Sequence, residues 1–143
     1  MSRAAVLELL QADPILSAAP YNLANHWHPT YQLDGTRQPS SNADGYFGIL
    51  RWEEEAPGPG TVTTLSVWIH RSMSKSTDFL PLRAALVRVI TIMTAAVHIV
   101  GSNGDKMTQC KYEGMGGDFN DQGYQTITKY AAFKVLSGER LTG

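Results

Sequence analysis

The stretch HWH, at residues 26–28, brings together two side chains that could do chemistry. It places two imidazoles on the same side of an extended segment, which is one geometry for two zinc ligands. A third ligand has no recognisable spacing, because His70, His98 and Cys110 are scattered along the chain. The pair His26 and His28 is therefore interpreted as surface or hydrogen-bonded histidines, with zinc binding as the alternative.

A second candidate, DFNDQG at residues 118–123, matches the start of a calcium-binding loop. Oxygen-bearing side chains stand at alternate positions and glycine is sixth. The twelfth position of such a loop needs a bidentate glutamate, but Lys129 stands there. A cation cannot act as that ligand. Residues 114–123 are therefore predicted to form a wide turn, which the glycines permit and the short polar side chains cap.

The third candidate is the acidic run Glu53, Glu54 and Glu55. Paired carboxylates can serve as general acid and base, but neighbouring residues of a strand point to opposite sides. A Pro/Gly stretch follows at once, so the run is interpreted as the solvated shoulder of a hairpin. The chain contains no G-x-S-x-G nucleophile motif and no glycine-rich phosphate loop. The sequence thus predicts no enzyme, no metal and no cofactor.

Length and composition limit the number of domains and the classes of partner. A chain of 143 residues is predicted to form a single domain, residues 1–143, that buries about 68–70% of its unfolded surface. A formal charge of −1 disfavours general binding to nucleic acid through phosphate neutralisation. The single cysteine, Cys110, fits a protein that folds in a reducing cytosol, and no secretion signal is recognised. The apolar residues 79–100 are interpreted as a buried helix, because Arg83 and Arg88 argue against a membrane span.

The element pattern begins with a helix over residues 2–11 and an irregular connection over residues 20–45, broken by a short strand near residues 27–33. So long a connection in a compact domain is usually functional or interface-forming. Strands over residues 46–54 and 61–70 form a hairpin with an extended Pro/Gly tip at residues 57–60.

A central helix follows, capped by Thr77 or Asp78, with apolar residues at helical spacing from Phe79 to Val97 and a stop at the stretch GSNGD. Strands are predicted over residues 107–113 and 124–136. The expected fold is α+β: a mostly antiparallel sheet of about four strands packed with one long central helix and a short N-terminal helix.

The strands carry large residues on both faces. Leu65, Val67 and Ile69 are predicted to face the core, whereas Trp68 faces the other way and Trp52 shares its face with Leu50. One sheet face packs on the helix, so aromatic residues on the other need a cover. That cover is either the connection over residues 20–44 or a neighbouring subunit.

The order of these segments resembles the tail terminator proteins of long-tailed, siphovirus-type actinobacterial phages. The resemblance runs from Tyr46 to Leu136 through GILRWEEE, TLSVWIHRSMSKSTDF, LRAALVRVI and MTQCKYEGMGGDFNDQGYQTITKYAAFKVL. Its most specific part is GGDFNDQGYQTITKYAAFKV, where the family has an acidic Gly-Asp to Asp-Gly-Tyr turn before a Thr-rich strand. Asn120 and Gln122 depart from that pattern, because acidic residues are common at both positions.

The resemblance implies a non-enzymatic virion protein that forms a homo-hexameric ring at the head-proximal end of the tail tube. The ring would stop tube polymerisation and join the tail to the head, with the tail tube protein and a head–tail connector protein as partners. It would be assembled in the host bacterial cytoplasm, let DNA pass through its lumen, and have no membrane role. A ring of identical subunits uses a head-to-tail contact in which two different patches meet.

Candidate contacts are the hairpin tip, residues 34–45 and the loop over residues 114–123. The residues singled out for assembly are Trp52, Glu53, Glu54, Glu55, Pro57, Pro59, Trp68, Asp118, Asn120 and Asp121. Two alternatives stay open. One is a head–tail connector without length control, and the other is a small ligand- or metal-binding domain that uses the histidine pair with Asp118 and Asp121.

Overall fold

The computed structural model describes residues 3–28, 44–53 and 62–137. Within them two helices and seven strands follow one another along the chain. They are α1 (Arg3–Gln11), β1 (Trp27–His28), β2 (Tyr46–Trp52), β3 (Val62–Ser72), α2 (Leu80–Ala95), β4 (Ile99–Val100), β5 (Lys106–Met115), β6 (Phe119–Asp121) and β7 (Thr126–Ser137).

The strands form one sheet in the order β1-β2-β3-β7-β5-β4, with β6 paired to β7 beyond the end of β5. Every pairing is antiparallel except that of β1 with β2, which is parallel. The expectation of about four strands is too low. The four long strands, β2, β3, β5 and β7, agree with the prediction, and the short strand expected near residues 27–33 is present as β1, at Trp27–His28 only. The others span only two or three residues, too few for an alternation to show.

The hydrophobic core lies between α2 and one face of the sheet, which we call the helix face. Leu65, Val67 and Ile69 of β3 are fully buried there, as predicted, and Phe133 and Ala131 of β7 lie opposite the first two. Each such aliphatic side chain gains about 1.5–3 kcal/mol from leaving water. From α2 the core receives Leu82, Ala85, Leu86, Val89 and Met93.

The N-terminal helix is held against the β4–β5 turn by two carboxylates. Glu8 accepts hydrogen bonds from the amide of Ser102 at 3.0 Å and from its hydroxyl at 2.7 Å. Asp105 accepts one from the amide of Ala4, in the first turn of α1, where a negative charge complements the helix dipole. At Gly101 a Cβ atom would lie 2.7 Å from the backbone nitrogen of Ala5, so the close approach of α1 requires a glycine there.

An ion pair with a buried carboxylate ties the residues after α1 to the middle of α2. The Arg88 guanidinium donates to both carboxylate oxygens of Asp13, at 2.6 and 3.2 Å, and the amide of Leu16 donates to the same carboxylate. Burial opposes ionisation of Asp13, but the hydrogen bonds from Arg88 and Leu16 outweigh it and lower the pKa of the carboxyl group. Asp13 thereby joins the N-terminal segment to the central helix.

The expectations for both ends of the central helix are wrong. It ends at Ala95 rather than beyond Val97, whose side chain is exposed. His98 has a positive φ of 52° and its amide bonds the carbonyl of Thr108, so the chain turns into β4 at this point. The stretch GSNGD therefore forms the β4–β5 turn and does not stop the helix. The N-cap is Phe79 and makes no side-chain cap hydrogen bond, so neither Thr77 nor Asp78 is the cap, although Asp78 accepts a hydrogen bond from the amide of Leu80.

The helix is also buried on only one side, contrary to the expectation of a buried helix. Leu80 exposes 70% of its surface and Val87 exposes 44%. Within the described residues no helix has the length and apolar character needed to cross a membrane.

Candidate assembly surface

The sheet face opposite α2 carries a cluster of aromatic residues, and we call it the aromatic face. Trp68 of β3 lies opposite Tyr130 of β7, and Phe119 of β6 lies opposite Thr128. The Trp68 and Tyr130 ring centroids are 4.5 Å apart, and Phe119 lies 6.1 Å from Tyr130 and 6.2 Å from Trp68. We call these three rings, Trp68, Phe119 and Tyr130, the aromatic patch. Phe119 exposes 45% of its surface, so the patch presents apolar area to solvent.

Glycine at position 116 lets Tyr130 lie flat against the chain. A Cβ atom on Gly116 would overlap the Tyr130 ring, and the amide of Gly116 bonds the carbonyl of Tyr130 at 2.8 Å. The backbone that leads from β5 to β6 thus packs directly on the aromatic patch. The patch is held by backbone register and by one obligatory glycine.

The segment from residue 114 to residue 123 is not the wide turn that was predicted. β5 continues to Met115, β6 resumes the pairing with β7 at Phe119, and only four residues, 122–125, connect β6 to β7. Asp121 accepts a hydrogen bond from the amide of Tyr124 and so closes this tight connection.

The calcium-loop geometry is absent from this segment. The Lys129 ammonium lies 2.7 Å from an oxygen of Asp118 and also donates to the carbonyl of Gly116. The residue at the twelfth loop position therefore neutralises the first carboxylate instead of joining it as a ligand.

A buried histidine lies beside the patch. His70 is fully buried, stacked on Phe47 at 4.7 Å, and its Nδ1 lies 2.8 Å from the hydroxyl of Thr126. Its Nε2 is a buried nitrogen without a hydrogen-bond partner among the described residues. Burial lowers the pKa of His70 to about 4, against a smaller opposing effect of Asp121, so the ring is neutral near pH 7.

The two histidines of the HWH stretch lie at the start of the sheet, His26 just before β1 and His28 within it. His28 lies in β1 with its ring 6.0 Å from Phe47, and the amide of His26 bonds the carbonyl of Leu23. Within residues 3–28, 44–53 and 62–137, no three His, Cys, Asp or Glu side chains are grouped so as to hold a metal ion. Burial raises the pKa of the Cys110 thiol to about 12, which disfavours the thiolate that binds metals.

The remaining assembly candidates lie in different places. Trp52 is on the helix face, partly buried against the core, with the Arg3 guanidinium 5.6 Å from its ring. Glu53 is exposed at the end of β2. Asp118, Asn120 and Asp121 flank Phe119 next to the aromatic patch. Glu54, Glu55, Pro57, Pro59 and residues 34–43 lie outside the described residues.

Sequence reasoning missed a second exposed apolar surface, on the outer side of α2. Its members recur at intervals of four and three residues, as on a helix face that packs against a partner. They are Leu80, Ala84, Val87, Thr91 and Thr94, all exposed, and we call them the outer stripe. The core residues of α2 lie on the opposite side of the helix, and the sequence pattern alone does not show which of the two sides the sheet covers.

Comparison with known proteins gives a fold and no family. No protein-family model matches the chain, and no curated protein sequence matches it. Solved chains share its fold, and one of them aligns over most of both chains. That chain belongs to the virion of a native gene transfer agent particle; it aligns over 94% of this chain and 92% of its own length, with a TM-score of 0.64 and 15% identity. The fold is therefore one that occurs in a virion.

Proposed function

We propose that the chain is a structural protein of a phage virion, and more narrowly a tail terminator. The observation that carries the proposal is the shared fold with a gene transfer agent virion chain, which extends over 94% of this chain. Agreement over nearly the whole length means that the entire domain, and not one supersecondary motif, has a counterpart in a virion. Fold similarity alone does not assign a role within the particle.

The tail terminator role rests on the sequence resemblance between Tyr46 and Leu136. Its most specific stretch, residues 116–135, contains two rings of the aromatic patch, Phe119 and Tyr130, and the carboxylates Asp118 and Asp121. Apolar rings bordered by polar residues are the usual composition of a protein–protein contact.

In this proposal the protein forms a ring, with six copies as in the family it resembles, on the head-proximal end of the tail tube. The ring stops the addition of tube subunits and offers its other side to the head–tail connector. DNA passes through the lumen of the ring.

The test is electron microscopy of phage particles from which this reading frame is deleted, scored for tail length and for head attachment. Overlong tails without heads support the terminator. Tails of normal length that fail to join heads instead indicate a connector without length control. Intact infectious particles rule out a structural role in the virion. Restoring the frame from a plasmid is the matched control, because only a direct effect of the missing protein is then reversed.

A further inference from the structure

We infer that the outer stripe of α2 in one copy packs on the aromatic patch of the next copy, so that these two surfaces form the head-to-tail contact of the ring. This inference rests on the proposed function for the ring itself. It adds which surfaces meet and which side chains make the contact.

The first observation is the composition of α2. Of its sixteen residues only Arg83 and Arg88 are charged, and Arg88 is engaged by Asp13. A helix that is apolar on all sides is normally buried on all sides. Here the outer stripe is exposed, so its cover must come from outside the described part of the subunit.

The second observation concerns the two threonines of the stripe. The hydroxyl of Thr91 donates to the carbonyl of Val87 at 3.0 Å, and the hydroxyl of Thr94 donates to the carbonyl of Ile90 at 2.7 Å. Both hydroxyls are satisfied within the helix. The threonine methyl groups therefore extend the apolar surface of Leu80 and Val87, and an apolar partner can cover the stripe without leaving a polar group unpaired.

The third observation is the position of the two surfaces. The helix layer separates the outer stripe from the sheet, and the aromatic patch lies on the opposite sheet face. The two surfaces therefore face away from each other. Two different patches on opposite sides of one subunit are what a head-to-tail ring contact requires, whereas a two-fold dimer would pair one patch with itself.

Charge complementarity selects a second copy of this chain as the partner. The helix carries two arginines and no acidic residue, with Arg83 exposed beside the stripe. The segment over residues 114–123 carries two carboxylates: Asp118, which already pairs with Lys129, and Asp121, which accepts only the amide of Tyr124 among the hydrogen bonds described above. When the stripe covers Phe119, the exposed guanidinium of Arg83 approaches these carboxylates, and such an arrangement favours the correct register of the two copies.

The test uses cysteines placed one on each surface, in a chain whose Cys110 is replaced by alanine. Val87→Cys marks the stripe and Phe119→Cys marks the patch, and the two variants are mixed and treated with a short thiol–thiol cross-linker. The mixture should give several-fold more cross-linked dimer than either variant alone, because a head-to-tail contact brings residue 87 of one copy to residue 119 of the next. A chain that carries both cysteines should give a ladder that ends at the ring.

The matched control is Val62→Cys mixed with Val87→Cys. Val62 exposes 54% of its surface, close to the value for Phe119, and it lies about eight residues away along the paired strands, or roughly 27 Å. The amount of cross-linked dimer formed by Val62→Cys with Val87→Cys measures the cross-linking that random collision produces. In addition, Val87→Glu should abolish the ladder while the circular dichroism of the monomer stays unchanged, because the side chain is on the surface.

Oligomers seen by mass photometry without an 87–119 cross-link above the Val62 control would overturn this inference and leave the tail-capping proposal standing. A dominant cross-link of Val87→Cys with itself would overturn it as well, since that is a two-fold contact. A chain that stays monomeric at all concentrations and gives no cross-link also counts against the contact. The deletion experiment would still decide the tail-capping role independently.

Discussion

The two faces of the same sheet differ in what their side chains do. On the helix face, aliphatic residues such as Leu65 and Val67 are fully buried against α2 and carry no polar atoms. On the aromatic face, a buried histidine and threonine lie beside rings that remain partly exposed. The helix face therefore supplies most of the folding free energy, while the aromatic face retains apolar area that can still be buried against a partner.

The most direct test of this difference between the two faces is to make the same substitution, Phe→Ala, on each of them. Phe133→Ala removes a fully buried ring from the helix face and should lower the free energy of unfolding by about 3–5 kcal/mol. Phe119→Ala, on the aromatic face, should cost the monomer much less because its ring is 45% exposed. Urea unfolding of both variants provides the measurement, and equal losses would show that the two faces contribute alike.

The pH dependence of the free energy of unfolding tests the contribution of His70 on the aromatic face. Its pKa is about 4 in the folded state and about 6.5 when unfolded, so the unfolded chain binds more protons between these values. Above pH 6.5 the ring is neutral in both the folded and the unfolded chain, and the protein has its full stability. As the pH falls from 6.5 towards 4, the unfolded chain is protonated while folded His70 stays neutral, so the free energy of unfolding decreases. Between pH 7 and pH 5 the free energy of unfolding should fall by about 2 kcal/mol.

The control for this pH dependence is His70→Phe, which keeps an aromatic ring but cannot titrate. Its unfolding free energy should be lower at pH 7, because the buried hydroxyl of Thr126 loses its partner, yet it should vary less between pH 7 and pH 5. Denaturant unfolding at several pH values gives the change of unfolding free energy with pH for the unmodified protein and for His70→Phe. The same slope in both proteins would show that His70 is not the group responsible.

The helix face was far easier to predict from the sequence than the aromatic face. Alternation identified Leu65, Val67 and Ile69 as core residues and located the four long strands, because burial on one side imposes a period of two. The site was only partly predicted. Trp68, Asp118 and Asp121 were singled out, but Phe119, which lies between the two aspartates in sequence, was not.

The reasons for the misses are physical. β6 is three residues long and follows a glycine pair, so local composition indicates a turn, while its pairing with the distant β7 makes it a strand. For α2, helical spacing of apolar residues cannot distinguish a helix buried on all sides from one whose second apolar side is exposed. Only the placement of the sheet shows that Leu80 and Val87 point away from it.

A smaller effect on the monomer, with a larger one on assembly, is expected for Trp68→Ala. Trp68 is partly exposed and packs on Tyr130, so its loss should lower the free energy of unfolding by about 2 kcal/mol and leave a folded monomer. Ring formation should weaken, because the aromatic patch loses its largest ring. Circular dichroism and mass photometry report the two effects separately.

The matched control for Trp68→Ala is Trp52→Ala, a partly buried tryptophan on the helix face. It should lose a similar amount of stability without a comparable loss of assembly. An unfolded Trp68→Ala monomer would instead place Trp68 in the core.

The smallest expected effect concerns the ion pairs that flank the two faces. Asp118, 53% exposed, pairs beside the aromatic patch with Lys129, whose side chain is only 11% exposed; Asp118→Asn should cost about 1 kcal/mol, because the carboxamide oxygen can still accept a hydrogen bond from the ammonium group. Asp13→Asn should cost clearly more, because Asp13 is buried and its loss leaves the amide of Leu16 and the Arg88 guanidinium with a weaker acceptor.

Thermal unfolding with and without added calcium tests whether the segment around Asp118 binds this cation. Calcium should not stabilise the unmodified protein, because Lys129 already neutralises the first carboxylate of the loop, and a calcium-dependent rise in Tm that Asp118→Asn abolishes would instead restore the loop as a cation site.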